Sequence, residues 1–278
     1  MTRFHHRLHQ DKQGRELFFE AALEAAESVD NGFAFGDADA LYLGYFSSDM
    51  FERQGHTAAL MADWLGMNPK PAIRVEDACA SSGVAVNAGV QAIASGMYDV
   101  VVVGGVEKMR TMGTTEVTDT LAMASDANYE AGVGFTFPGL YAAIASAHFS
   151  EHGSTWEQLQ QVAIKNHVNG KKNPKAQYQE TVKEIADKLG ERKGTSFRDE
   201  MEFLSSPLNP VVASPLRLFD CCPISDGAAA VILAADEVAE EYTDTPVEIV
   251  GIGQASDTMA LHDRDDFTSL RATRVAAR

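Results

Sequence analysis

Only three cysteines, Cys79, Cys221 and Cys222, occur in the 278 residues. The adjacent pair lacks the gap of about two to four residues that a zinc knuckle needs, and three thiols do not build a disulfide framework. Long apolar runs are missing too. None approaches the ~20 residues of a membrane span, and Met1 does not open a secretory signal pattern, so the chain reads as soluble and cytoplasmic with no membrane partner. Positive charge is also scarce: 23 Lys and Arg stand against 40 Asp and Glu, a formal net charge of −17. Such a surface argues against nucleic acid as a partner. The acids are dispersed, as in Asp236-Glu237, Glu240-Glu241 and Asp263 to Asp266. That dispersal fits adaptation to high salt, and it fits an ordinary acidic protein as well.

What is present is a layered pattern. Arg15 to Val29 has helical apolar spacing and strong helix formers. Asp39 to Phe46 reads as a buried strand, His56 to Leu65 as a helix and Ala72 to Val75 as a second strand. Tyr98 to Gly105, a continuous apolar run, suits a central strand buried on both faces. Strands alternating with helices in this way indicate an α/β domain. From Met109 to Pro207 the texture changes. Helices are expected at Leu140 to Glu151 and Thr155 to Val168, the latter capped by Ser154 or Thr155 with Glu157 in a capping box. Lys183 to Arg198 reads as charged and solvated. The α/β pattern resumes with a strand at Ala228 to Ala234, a helix at Glu237 to Tyr242, the apolar stretch Val247 to Gly253 and a helix beginning near Thr268. Met1 to Gly14, with His5, His6 and His9, reads as a solvated polar segment without a metal ligand set.

The stretch Arg74 to Gly83 organises the rest. A β-branched approach enters a small-residue run, and a helix follows from Val84 to Ser95. A cysteine at such a junction lies where first-turn N–H groups and the helix dipole favour a thiolate. Taken alone, Cys79 is equally well a nucleophile or a small packing residue at a tight turn.

Several stretches together decide between these. Val75-Glu76-Asp77-Ala78-Cys79-Ala80-Ser81-Ser82-Gly83 resembles the acylated-cysteine motif of thiolases. Gly104-Gly105-Val106-Glu107-Lys108-Met109 resembles the segment closing the first half of that fold, and Ser225-Asp226-Gly227-Ala228-Ala229-Ala230 the strand opening its second half. His167 to Gln177 resembles the loop segment of the archaeal and sterol-carrier-type branch. The resemblance implies an α/β protein with the layered α-β-α-β-α thiolase fold. Residues 1–110 would be the N-terminal half without its first strand, 111–207 a loop domain covering coenzyme A, and 208–278 the start of a truncated C-terminal half.

The implied activity is acyl transfer on acyl-CoA thioesters, forming acetoacetyl-CoA or cleaving 3-ketoacyl-CoA. No cofactor is implied beyond coenzyme A thioesters as substrates, and no metal. Cys79 would be the acyl acceptor, its backbone N–H helping to hold the oxyanion. Cys222 falls where many thiolases place a serine near the pantetheine arm, as a contact or as a packed small residue; Cys221 reads as structural. Gly139 and Leu140 would line the acyl pocket. Glu107 reads as structural and is left outside the catalytic set. The family's Asn-Glu/His-Asp motif, Gly-His-Pro histidine and second, glycine-flanked cysteine do not occur in this sequence. Of the remaining histidines, His148, His152, His167 and His262 read as surface or capping residues rather than as a substitute base. The expected protein partner is a second copy in a homo-oligomer or a complementing C-terminal chain. Two further readings stand beside the enzyme: a non-catalytic or split-subunit thiolase fragment, and a ketosynthase or hydroxymethylglutaryl-CoA synthase-like condensing enzyme.

Overall fold

The computed structural model describes residues 1–278, which form two compact units. The first comprises Met1–Val117, Ile224–Ser256 and Ala272–Arg278; the second comprises Thr118–Pro223 and Asp257–Arg271.

In the first unit β1 (Ala40–Gly44), β2 (Ala72–Val75) and β3 (Val100–Glu107) run parallel, and β6 (Gly227–Ala234) joins β3 antiparallel, giving the order β2-β1-β3-β6. Side chains alternate across the sheet with period two. Leu41, Leu43, Val100 and Val102 point to the face covered by α1 (Gly14–Glu27) and α3 (Thr57–Trp64), where they pack with Leu17, Phe18 and Met61. Ala40, Tyr42, Val101 and Val103 point to the opposite face, against Ala85 and Ala92 of α4 (Ser81–Ala94). Both faces of β1 and β3 are therefore buried, which is why those strands read as unbroken apolar runs. A short α2 (Ser48–Phe51) connects β1 to α3.

Two expectations change here, and one apolar stretch stays exposed. The strand at Ala228 to Ala234 forms as β6, but it pairs along its length with β3, from Val100↔Ala234 to Glu107↔Gly227. β6 is thus the fourth strand of the first sheet. The Met1 to Gly14 segment is not a solvated arm: Thr2 donates its N–H to the Ala228 carbonyl at 3.0 Å, His5 bridges Asp226, and His9 is buried. Val247 to Gly253 forms no strand in the structure, and after α10 (Asp236–Tyr242) Val247 and Val250 are 93% and 94% exposed.

The second unit contains α6 (Phe137–His152), α7 (Trp156–Lys171), α8 (Val182–Lys193), α9 (Glu200–Ser205) and the hairpin β4 (Val211–Ala213) with β5 (Leu216–Arg217). The helices α5 (Thr114–Ala122) and α11 (Arg271–Ala276) each span a boundary between units. The α7 cap is Thr155, paired reciprocally with Gln158 rather than with Glu157. Much of the charged stretch from Lys183 is helical: Thr181 caps α8, whose Val182 and Ala186 are buried with Phe203 and Leu204. The charges occupy its outer face, so counting them hid the apolar stripe beneath.

Candidate active site

The parallel strands end on one edge, where α/β sheets present ligand sites. Beyond β2 the chain makes a tight turn. Asp77 has φ −155° and ψ 53°, neither helical nor extended, Ala78 has φ +46°, and residues 78–80 form a single helical turn that runs into α4. A left-handed residue with a Cβ costs about 1–2 kcal/mol. Hydrogen bonds hold the turn: Ala78 N–H donates to Glu76 Oε1 (2.6 Å), Asp77 N–H to Ser81 Oγ (2.9 Å), and the Ser81 hydroxyl to the Ala78 carbonyl (2.6 Å). Cys79 sits at the middle of this turn, exposed, and α4 begins at Ser81 rather than at Val84.

Glycines let the start of α4 rest on the sheet. A Cβ on Gly44 would lie 2.5 Å from Ser82 N, 2.6 Å from Ser82 Cα and 2.7 Å from Ser81 C. These are backbone atoms and cannot rotate away. From β3, a Cβ on Gly105 would meet the Ser82 side chain, its Cβ at 2.9 Å, and the Gly44 carbonyl oxygen at 3.0 Å. Gly44→Ala is expected to cost ~1–3 kcal/mol by overpacking and to displace the turn bearing Cys79. Gly83, one residue further along, faces open space, so Gly83→Ala is expected to stabilise by ~0.5–1 kcal/mol. Urea unfolding and the alkylation rate of Cys79 check both. Equal stabilities for the two variants would show that α4 does not rest on Gly44.

Two carboxylates, Glu107 partly buried and Asp226 fully buried, fix the neighbouring strand ends. Glu107, ending β3, accepts the N–H groups of Phe46 (3.1 Å) and Ser47 (3.3 Å) and so holds the turn after β1. Burial pushes its carboxyl up to about 7, against the opposing pull of those two donors. Its folded pKa lies above its unfolded value of 4.5. The stability it contributes is therefore full below about pH 4.5 and is lost as pH rises through about 7. The size is on the order of 3 kcal/mol. Glu107→Gln is expected to flatten that decline in urea titrations at pH 5 and pH 8; parallel pH profiles for parent and variant would refute it.

Asp226 and Lys108 form the other pair, with side chains 1% and 2% exposed. Lys108 Nζ donates to Asp226 Oδ2 at 2.5 Å and to the His9 carbonyl at 2.8 Å, while Asp226 Oδ1 accepts Met109 N–H (2.8 Å) and Arg110 N–H (3.0 Å). Nearby, Arg74 donates to the carbonyls of Tyr45 (2.9 Å) and Phe46 (2.7 Å) and pairs with Asp49. The Tyr45 hydroxyl donates to Glu52, and burial followed by that carboxylate raises its pKa.

A family model described as thiolase, N-terminal domain, matches residues 1–237. The chain belongs to the thiolase family. It is 44% identical over 270 residues to an acetyl-CoA acetyltransferase of Methanothermobacter thermautotrophicus, covering 96% of this chain and 64% of that protein. An acetyl-CoA acetyltransferase of Methanocaldococcus jannaschii is 40% identical, with 96% and 63% covered. The chain thus spans a little under two thirds of the length of these relatives. Among solved structures, the Ltp2-ChsH2(DUF35) aldolase superposes with TM-score 0.72 at 24% identity, covering 98% of this chain and 64% of that one. Human mitochondrial 3-ketoacyl-CoA thiolase in complex with CoA gives 0.57 at 16%, covering 86% and 64%. Both share the fold, and a fold that serves an aldolase as well as a thiolase does not by itself fix a reaction.

The other sequence candidates fall in the second unit. Leu140 lines a cavity of about 350 Å³ together with Tyr129, Phe135, Leu261 and Phe267. Gly139 is not part of that lining; a Cβ there would meet the Phe135 ring at 3.3 Å. Cys222 is exposed, and Cys221 is half-buried with its thiol pushed up by burial and by the adjacent Asp220. His167 donates from Nδ1 to the Glu180 carbonyl (3.1 Å) and stacks on Tyr178, a packing role. His262 does more than decorate an acidic turn. Its N–H and Nδ1 both reach Oε1 of the buried Glu130, 132 residues away, at 3.2 and 3.1 Å, and that bond raises the imidazole pKa. Sequence reasoning passed over Glu130 and over the Lys108–Asp226 pair, since neither has a local pattern; only the tertiary fold brings the partners together.

Proposed function

We propose that this thiolase-family chain is an acyltransferase for acyl-CoA thioesters and that it works through an acyl-cysteine at Cys79. The observation that carries the reading is the Cys79 turn: an exposed thiol held on a strained, hydrogen-bonded corner at the sheet edge, directly before a helix. The thiolate attacks the thioester carbonyl, the Cys79 N–H holds the oxyanion, and the bond to coenzyme A sulfur breaks to leave an acyl-enzyme. In the second half-reaction the carbanion of another acyl-CoA takes the acyl group and regenerates the thiol; thiolysis is the reverse. The names of the methanogen relatives favour acetyl-CoA as the first substrate. Leu140 and its cavity are our candidate acyl pocket, Cys222 our candidate pantetheine contact, and Gly139 sets the packing beside Phe135.

The test is intact mass after incubation with acetyl-CoA in high-salt buffer, followed by peptide mapping. One acetyl group on the peptide containing Cys79 supports the reading; a folded chain that remains unmodified refutes it.

A second reading is favoured by Val247 to Gly253, whose valines stand in solvent although the composition is that of a buried strand. In that reading the condensation step needs polypeptide beyond these residues, of the kind that fills the remaining third of the relatives. An acetyl adduct without acetoacetyl-CoA formation supports it; full turnover by the chain alone overturns it.

A further inference from the structure

The first unit contains a cavity of about 380 Å³ beside the start of α3, and neither Cys79 nor its turn lines it. Phe51, Leu60 and Met61 supply an apolar wall, and Arg15, Arg53 and Thr57 a polar one. In a chain of net charge −17, a wall with two arginines stands apart from its surroundings. Neither guanidinium is ion-paired with a carboxylate. Arg15 lies over the Trp64 ring at 5.0 Å, and its buried Nε has no protein partner. The one acid in the lining, Glu52, is already engaged: Gly14 N–H donates to Oε1 at 2.8 Å and the Tyr45 hydroxyl to Oε2.

Thr57 is the second, independent observation. It is the first residue of α3 and 1% exposed, it lines the cavity, and its hydroxyl meets no protein group. A buried hydroxyl left unmatched costs free energy, and native structures seldom leave one without a purpose. The helix behind it has no side-chain cap at His56 and no acid in its first turn, so its N–H groups and dipole face the same space. Arg53 (φ +54°) and His56 (φ +55°) hold the loop before α3 in left-handed conformations.

We propose that this cavity binds a small organic anion, a carboxylate or phosphate head on an apolar body. Arg15, Arg53, the Thr57 hydroxyl and the α3 N-terminus would take the head, and the Phe51–Leu60–Met61 wall the body. Cavities of this volume, mostly apolar with a few convergent polar groups, are typical of small-ligand sites.

The test is calorimetric titration of the full chain with benzoate and with inorganic phosphate at low ionic strength. Benzoate is expected to bind saturably at one site and more tightly than phosphate. Arg53→Gln should weaken it roughly tenfold or more, the loss of one charge-assisted contact. Thr57→Val should weaken it too, while leaving the free protein as stable as before or more so, because its hydroxyl has no partner to lose. Cys79→Ala should bind benzoate as the parent does, so failure here is separable from failure of the acyltransferase reading. Absence of saturable benzoate binding, equal affinity in parent and variants, phosphate binding tighter than benzoate, or destabilisation by Thr57→Val would each overturn the assignment.

Discussion

Cys79→Ala is expected to abolish acetylation of the chain by acetyl-CoA, a loss on the order of 10⁴-fold or more in rate, as when a covalent nucleophile is removed. Stability is expected to stay within about 0.5 kcal/mol of the parent, since the side chain is exposed and the turn is held by the backbone, Glu76 and Ser81. That separation matters, because a variant that merely unfolded would lose the adduct for an uninformative reason. Cys222→Ala and Cys221→Ala serve as controls and should still be acetylated at Cys79. Cys79→Ser keeps the shape of the corner but exchanges a thiol for a hydroxyl that is almost wholly protonated at neutral pH, so its labelling should fall close to background. Labelling of Cys79→Ala at the parental rate would place the acyl group elsewhere and remove the basis for the function proposed.

Much of the fold is legible because its physics is local. Unbroken apolar runs mark β1 and β3, buried on both faces, and β2 (Ala72–Val75) falls where the β-branched approach to Cys79 places it. The Cys79 corner is legible for the same reason: strand, small residues and helix are contiguous. Pairings across long separations are not. Nothing within Ser225 to Ala230 says whether that strand opens a new sheet or closes an old one; the eight-residue register with β3 decides it. The N-terminal histidines look solvated until β6 supplies partners for Thr2 and His5. Glu130 and His262 are each unremarkable in their own segment. The helix α4 starts three residues before Val84 because packing of that turn onto Gly44 and Gly105 overrides the weak helix propensity of Ser81, Ser82 and Gly83.

The second large effect concerns Asp226. Asp226→Ala would leave the Lys108 ammonium buried without its counter-charge and strip the acceptor from two backbone N–H groups. Breaking a buried pair in this way costs about 3–5 kcal/mol, a large part of the ~5–15 kcal/mol that holds a typical domain together. Asp226→Asn separates the two contributions. The amide oxygen can still accept from Met109 and Arg110, so the remaining loss measures the uncompensated ammonium. Adding Lys108→Met should then recover stability, giving a double variant less damaged than the sum of the singles. Urea unfolding of the four proteins closes the cycle; additive losses would mean that Lys108 and Asp226 do not act as a pair. The two family-like segments, one ending β3 and one opening β6, are joined by this ion pair in addition to their strand pairing. Their presence in the sequence therefore reports a clamp at the sheet edge, whereas Cys79 alone among the three stretches carries the proposed chemistry. Asp226→Asn with Lys108→Met should accordingly regain Cys79 acetylation along with stability, while no second substitution that restores folding alone should rescue Cys79→Ala.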